Sequence, residues 1–410
     1  MMERVVQDSN IHKAAGRVID NRGGPGVDGM EAGELVQFLK RDWPRLKAEL
    51  VSGTYRPQPI KGCEIPKESG GVRTLGIPTV VDRMVQQAIL QVLQPIYDPG
   101  FSPHSYGFRP GRSQHQAVKA ARQYIADGYN VVVDVDLEKF FDRVNHDVMM
   151  GRLARKIGDK TLLRIIRRFL EAGMMADGVV QPKEEGTPQG GPLSPLLANI
   201  LLDEVDKELE RRGHRFCRYA DDCNVYVKSH SAGRRVLAGL KKLFGKLKLK
   251  TNKAKTAVAQ PAERKFLGFT FYMSVRSGVI IKAAPATIAK LRDRIRALTS
   301  RNNGKSLKQT IAELNAYLRG WMAYYSLARG RRDIADAAKL MRRRLRAHEL
   351  RQWRNPTRIY DKLRSLGVDD RGAREVAAHP GRYTRMSTHP STHTALSNEY
   401  FQRLGLVTLC

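Results

Sequence analysis

The chain is poor in cysteine, tryptophan and acidic residues. Only four cysteines (Cys63, Cys217, Cys223, Cys410) and three tryptophans occur in 410 residues. The cysteines show no metal-ligand pairing, so they read as reduced thiols of a cytosolic protein. No run approaches the roughly 18 consecutive apolar residues that a bilayer span requires, and neither end carries a lipidation signal. The first residues, Met1 to Asp8, have early acids and no apolar core of a signal peptide, so a secreted or organelle-targeted protein is not expected. Long low-complexity tracts and short-period repeats are also missing. Acids number 41 against 72 lysines and arginines, a net charge of +31. That excess argues for a polyanionic partner, foremost a nucleic acid, and says nothing about fold. The length allows two or three domains and a substantial core.

What is present is organised around Tyr219-Ala220-Asp221-Asp222. Its flanks, Arg215 to Arg218 and Cys223 to Val227, are β-branched and aromatic, and predict two short strands with a tight turn between them. Adjacent carboxylates repel, and neither is the turn chemistry that a hairpin favours. Alone, such a pair reads as a solvated turn. A second acidic cluster changes the weighing. Val131-Val132-Val133 opens a buried strand that continues Asp134-Val135-Asp136-Leu137-Glu138-Lys139-Phe140-Phe141-Asp142. Period-two alternation puts Asp134 and Asp136 on one face. A carboxylate ending an apolar strand is costly unless it is paired or metal-bound. One strand-end aspartate and a turn pair suit two magnesium ions about a transferring phosphoryl group.

These two segments, followed in between by Gly186-Thr187-Pro188-Gln189-Gly190-Gly191-Pro192-Leu193-Ser194-Pro195, stand in an order that resembles the reverse transcriptases encoded by bacterial group II introns, the intron-encoded maturases. The likeness runs from about Asn21 to the C-terminus. It implies an α+β fold: a right-hand polymerase with fingers and an antiparallel palm sheet, then an all-α thumb and maturase domain. The expected division is 1–55 for an N-terminal extension, 56–284 for fingers and palm, 285–376 for thumb and maturase, and 377–410 for a basic segment, a possible DNA-binding remnant. No histidine-cysteine nuclease module follows, so the resemblance is to members without the endonuclease.

The resemblance also implies roles. Asp136, Asp221 and Asp222 would be catalytic and hold two Mg2+ ions, with Leu137 among the metal positions; alternation alone leaves Asp134 as a rival to Asp136, and the family pattern decides for Asp136. Deoxynucleoside triphosphates would be the substrates. Lys67 and Arg73, near the Gly-Gly tip of a strand pair, suit a triphosphate, as a point charge and a fork. Phe141 would exclude a 2′-hydroxyl by bulk, whereas Phe140 is expected in the core because strand alternation separates the rings. Gln189 would help position the base pair beside glycines that permit close backbone approach. Lys255 would lie near the nucleotide. Phe266, Phe269 and Phe271 read as core.

Basic stretches supply RNA-binding candidates. Arg109 and Arg112 lie in Ser105-Tyr106-Gly107-Phe108-Arg109-Pro110-Gly111-Arg112-Ser113, where arginine and aromatics suit phosphates and bases. From Lys290 to Glu375 there are 23 lysines and arginines against 9 acids, and Arg342, Arg343, Arg344 and Arg346 form the densest cluster. Intron RNA, a template–primer duplex and target DNA are the expected partners, with no membrane, in a bacterial cytoplasm and at the nucleoid during integration. The expected function is RNA-directed DNA synthesis coupled to splicing assistance and retrohoming. The alternatives are a free-standing enzyme of repair or phage defence, and a splicing factor with incidental polymerase.

Overall fold

The computed structural model describes residues 1–66, 72–176, 179–181, 185–186, 190–302 and 304–409. Lys67 and Gln189 lie outside the described residues, as does the side chain of Arg73. The chain divides into two compact units, Met1–Gln260 and Pro261–Cys410. The division falls ahead of the composition shift at Pro285.

In the first unit, β1 (Ile60–Pro66) and β2 (Val72–Ile77) pair antiparallel. They share a sheet with β4 (Met174–Ala176) and β5 (Val179–Gln181), in the order β2-β1-β4-β5. The second sheet holds β3 (Val131–Val135), β6 (Arg215–Tyr219), β7 (Asp222–Val227) and β8 (Ala257–Ala259), in the order β6-β7-β3-β8, antiparallel throughout. The valines of β3 sit at its centre because β-branched side chains fit a pleated, buried surface. Val131, Val132 and Val133 are accordingly all buried.

Helices cover these sheets, and their starts are written locally. Thr79 accepts from the Asp82 amide to open Val80–Tyr97, whose buried positions form the middle of the core. Ser113 and Gln116 make a reciprocal capping box for Gln114–Ala126. The expected helical region from Asn145 to Leu170 is two helices, His146–Ala154 and Lys160–Glu171. The break falls where Gly158 interrupts and Asp159 caps the second by accepting from the Leu162 amide.

The second unit opens with the antiparallel hairpin β9 (Phe269–Ser274) and β10 (Gly278–Ala283). Helices then follow: Pro285–Leu298, Leu307–Tyr324, Arg331–Trp353, Pro356–Ser365 and Asp370–Ala377. Three short helices, Tyr383–Met386, Pro390–Ala395 and Asn398–Arg403, end the chain. Their Met386, Ala395, Leu396 and Phe401 belong to the same apolar core as Leu314, Leu345 and Leu363. The segment from 377 is thus packed into this unit's interior.

Candidate active site

Register builds the site. β6 and β7 pair from Arg215↔Tyr226 to Tyr219↔Asp222, leaving a two-residue turn at Ala220-Asp221. β3 and β7 pair from Val131↔Val227 to Val135↔Cys223, the residues just before Asp136 and just after Asp222, so the ladder brings these two aspartates to the same end of the sheet. Two segments far apart in sequence therefore end at one sheet margin with three aspartates. Asp134 pairs with Asn224, whose amide nitrogen donates to its Oδ1 at 2.9 Å in the hydrogen-bonding orientation.

A cavity of about 700 Å3 lies at this margin, lined by Asp136, Leu137, Phe141, Asp221, Asn252 and Lys255, with Val72 and Thr74 of β2 on its far wall. Lys255 Nζ is 3.2 Å from Asp136 Oδ2. The loop bearing Lys255 is clasped to the strand end: the Asn252 amide donates to the Asp136 carbonyl at 2.8 Å, and Thr256 Oγ1 donates to it at 3.3 Å. Phe140 and Phe141 occupy a 3-10 turn, Phe140–Arg143, not a strand. Their separation therefore does not come from strand alternation. Phe140 is buried at 3% exposure, Phe141 is half-buried, and the rings meet edge-on with centroids 5.1 Å apart.

The glycine motif runs alongside. Gly190 has φ 125°, and a Cβ there would come within 2.2 Å of the Gly76 carbonyl oxygen of β2. Only glycine tolerates that backbone and that approach. This is the close approach that the paired glycines predict, made against a strand.

The hairpin turn is held by residues that sequence reasoning did not single out. Ala220 sits in the left-handed region at φ 56°. Beneath it Gly107 packs so tightly that a Cβ would lie 2.3 Å from the Ala220 nitrogen. Arg218 is 1% exposed and donates to Asp206, Asn199, Ser105 and the Ala220 carbonyl. Burial pulls its pKa down, but the Asp206 carboxylate outweighs that and raises it. Cys223, next to the aspartates, is pushed up to about 12 by burial. It is a neutral thiol in the wall of the sheet.

Among the described residues no three histidine, cysteine or acidic side chains are gathered closely enough to hold a metal ion. The donor set at the sheet margin nevertheless has the right chemistry, hard carboxylate oxygens beside an open cavity. It also has a cation already drawn onto Asp136. These side chains have the chemistry to hold magnesium, with the Lys255 ammonium now on the Asp136 carboxylate.

Two of the RNA-binding expectations require correction. Arg109 is 9% exposed; it donates to Asp98 Oδ1 at 2.8 Å and to the carbonyls of Asp98, Ser102 and Ser105. Arg346 is 7% exposed and donates to the Leu396 carbonyl at 2.9 Å. Both guanidiniums are spent inside the protein, where they tie loops to the core and leave no face for phosphate. Arg344 is half-buried and donates to Thr299 Oγ1 and the Arg296 carbonyl. Arg112 and Arg343 remain exposed, and Arg342 is half-buried. The second unit also holds a cavity of about 830 Å3 whose wall includes Arg301, Lys305, Arg351, Arg354, Arg358 and Lys362. These cations are scattered along the chain, so no local cluster marks them.

Residues 65–271 match the family described as reverse transcriptase (RNA-dependent DNA polymerase), and residues 288–367 match the group II intron maturase-specific domain. The chain belongs to the reverse transcriptase family and carries the maturase domain of group II intron proteins, the pairing that joins DNA synthesis to splicing assistance. It is 33% identical over 301 residues to Protein YkfC of Escherichia coli (strain K12), covering 63% of this chain and 78% of that one. It is 39% identical over 216 residues to the group II intron-encoded protein LtrA of Lactococcus lactis subsp. cremoris, covering 52% of this chain. The match spans only 36% of LtrA. Among solved structures, a chain of a partial Cas6-RT-Cas1–Cas2 complex aligns over 60% of this chain and 42% of its own, at TM-score 0.38 and 28% identity. No helix among the described residues is long and apolar enough to cross a membrane.

Proposed function

We propose that the first unit copies RNA into DNA by two-metal nucleotidyl transfer, and that the second binds intron RNA to assist splicing and retrohoming. The observation that supports the first half is the ladder that ends with Asp136 and Asp222 at one margin of the sheet, beside the Ala220-Asp221 turn and a cavity lined by Asp136 and Asp221.

Asp136, Asp221 and Asp222 would hold two magnesium ions, with Leu137 able to add only its backbone carbonyl. Bound magnesium lowers the pKa of the primer 3′-hydroxyl and stabilises charge on the leaving pyrophosphate. The chain's own residues do the positioning. Phe141, half-buried at the cavity wall, excludes a ribose 2′-hydroxyl by bulk. Lys67 and Arg73, at the β1–β2 tip, bind the β- and γ-phosphates. Gln189 steadies the nascent pair, and Gly190 itself comes close to the Gly76 carbonyl of β2. Lys255, 3.2 Å from Asp136 Oδ2, would serve the nucleotide's phosphates from beside that carboxylate.

Asp134 and Asp136 separate the account from its rival. Asp136→Asn should abolish primer extension on an RNA template, whereas Asp134→Asn, at the Asn224 pair, should leave it within about tenfold. The reverse result would move the metal site to Asp134. For the second unit, the basic wall of Arg301, Lys305, Arg351, Arg354, Arg358 and Lys362 has the chemistry of a phosphate cradle. Binding of structured RNA should weaken steeply with salt, and the Arg351→Ala/Arg358→Ala double variant should flatten that dependence by about two phosphate contacts. An unchanged slope would place the RNA on another face.

A further inference from the structure

Arg218 buries a full positive charge where one partner would be enough to neutralise it. Asp206, itself 0% exposed, takes its Nε at 2.8 Å and its NH2 group at 2.6 Å. The rest of the fork goes elsewhere. NH1 donates to Asn199 Oδ1 and to the Ala220 carbonyl, each at 2.9 Å, and NH2 donates to Ser105 Oγ at 2.8 Å. Asn199 in turn donates to the Gly107 carbonyl at 2.9 Å. Gly107 presses on the Ala220 amide from below. The backbone joins in, since the Tyr106 amide donates to the Arg218 carbonyl at 2.8 Å and the Arg218 amide to the His104 carbonyl at 2.9 Å.

The object of this clamp is a residue in an unfavourable conformation. Ala220 is left-handed at φ 56° without being glycine, which persists only where the surroundings over-determine it. Arg218 grips its carbonyl and Gly107 closes on its amide. The next two residues are Asp221 and Asp222. A two-residue turn leaves those carboxylates no slack: rotating the Ala220 peptide re-aims Asp221 away from the cavity that it lines.

We propose that Arg218 is a positioning residue for nucleotidyl transfer, fixing the left-handed Ala220 turn so that Asp221 and Asp222 face Asp136. It touches neither cavity nor nucleotide; it acts through the Ala220 carbonyl, with Asn199, Ser105 and Asp206 holding it from behind. The inference rests on the reading that these aspartates carry the reaction. A buried guanidinium needs all its N–H groups satisfied whatever its role; what singles this one out is that one of those bonds lands on the carbonyl of the left-handed Ala220.

The test uses the full chain. Arg218→Lys keeps the charge beside Asp206 but lacks the planar fork that reaches Ala220 and Asn199 together. Thermal unfolding, kcat, KM for dNTP and the Mg2+ concentration for half-maximal primer extension are measured for wild type, Arg218→Lys, Arg218→Lys/Ala220→Gly and Asp222→Asn. Arg218→Lys should lower kcat by about tenfold or more and raise the Mg2+ requirement by a similar factor, as loss of a supporting partner around a metal site does. KM for dNTP should stay within about twofold. Glycine at 220 adopts the left-handed turn freely, so the double variant should recover part of kcat without recovering thermal stability. The proposal is overturned if Arg218→Lys keeps the wild-type Mg2+ requirement and kcat, or if activity follows melting temperature across the set. Should Arg218→Lys not fold, Asn199→Ser decides on the same two readouts, since it removes one link and leaves the ion pair. Full activity in Asp222→Asn would instead sink the assignment of the aspartates, and an inactive Asp222→Asn beside an unaffected Arg218→Lys would sink only the positioning role.

Discussion

Lys255 Nζ lies 3.2 Å from Asp136 Oδ2, so the strand-end aspartate at the centre of the site is paired with a cation borne on the loop that leads into β8. On the proposed metal site, magnesium and this ammonium would compete for one carboxylate. The lysine side chain is 62% exposed, and such pairs are worth only about 0.2–1 kcal/mol. Lys255→Met should therefore lower the Mg2+ concentration for half-maximal metal binding by no more than about fivefold, read by metal-induced thermal stabilisation. An increase would show that Lys255 helps, and does not oppose, metal entry.

A second prediction concerns Asp82, buried where the N-terminal helices meet the core helix. Burial raises its carboxyl from the usual range to about 6, despite hydrogen bonds from Tyr55, Thr79 and the Gln58 amide that favour the charged form. A folded-state pKa above the unfolded one stabilises the fold below the unfolded value and loses that contribution as pH climbs through about 6. Chemical denaturation of wild type should thus show stability falling from about pH 4 to 6 by up to about 3 kcal/mol. Asp82→Asn should remove that slope. A slope that survives the substitution assigns it to another group.

Gly190→Ala tests the close approach to β2. The substitution meets the Gly76 carbonyl in a backbone region that L-residues rarely adopt. Strain of this kind costs about 1–3 kcal/mol, so the variant should unfold at lower temperature and extend primers poorly. Wild-type melting and rate would mean that the loop lies off the strand.

The arginines divide into two experimental classes. Arg109→Ala strands Asp98 beside a buried void and should destabilise by about 3 kcal/mol. Arg343→Ala, on an exposed helix face, should leave melting unchanged and reduce the salt slope of RNA binding by about one contact. If Arg109→Ala melts like wild type, its buried network is not what holds the Ser102–Arg109 loop.

These classes mark where the sequence stopped being informative. The strands and turn that carry the aspartates were legible because β-branched and aromatic flanks are a local signal, whereas alternation left Asp134 and Asp136 equal and only the family pattern chose between them. Local pattern could not separate Arg109 from Arg112, or Arg346 from Arg343. Exposure of an arginine depends on what packs over it, and for Arg346 that is the Leu396 carbonyl, distant in sequence. Arg218 was invisible for the same reason, as its partners Ser105, Asn199 and Asp206 come from a loop and a helix that only the fold brings together. Phe141 was singled out by the family pattern while the geometric reason failed, since a 3-10 turn replaced the expected strand. The short strands β4 and β5 carry too few residues for alternation to show. Lys67 and Gln189 lie outside the described residues, and their roles rest on the sequence.

The account's central claim is that Asp136 and the Asp221-Asp222 turn share bound metal. Fe2+ substituted for Mg2+, with ascorbate and peroxide, releases hydroxyl radicals that cut the backbone nearest the ion. The account predicts cleavage at both 135–137 and 220–223 in the wild-type protein, suppressed by excess Mg2+ and lost from both segments together in Asp222→Asn. Cleavage confined to one segment, or unaffected at 135–137 by Asp222→Asn, would contradict it.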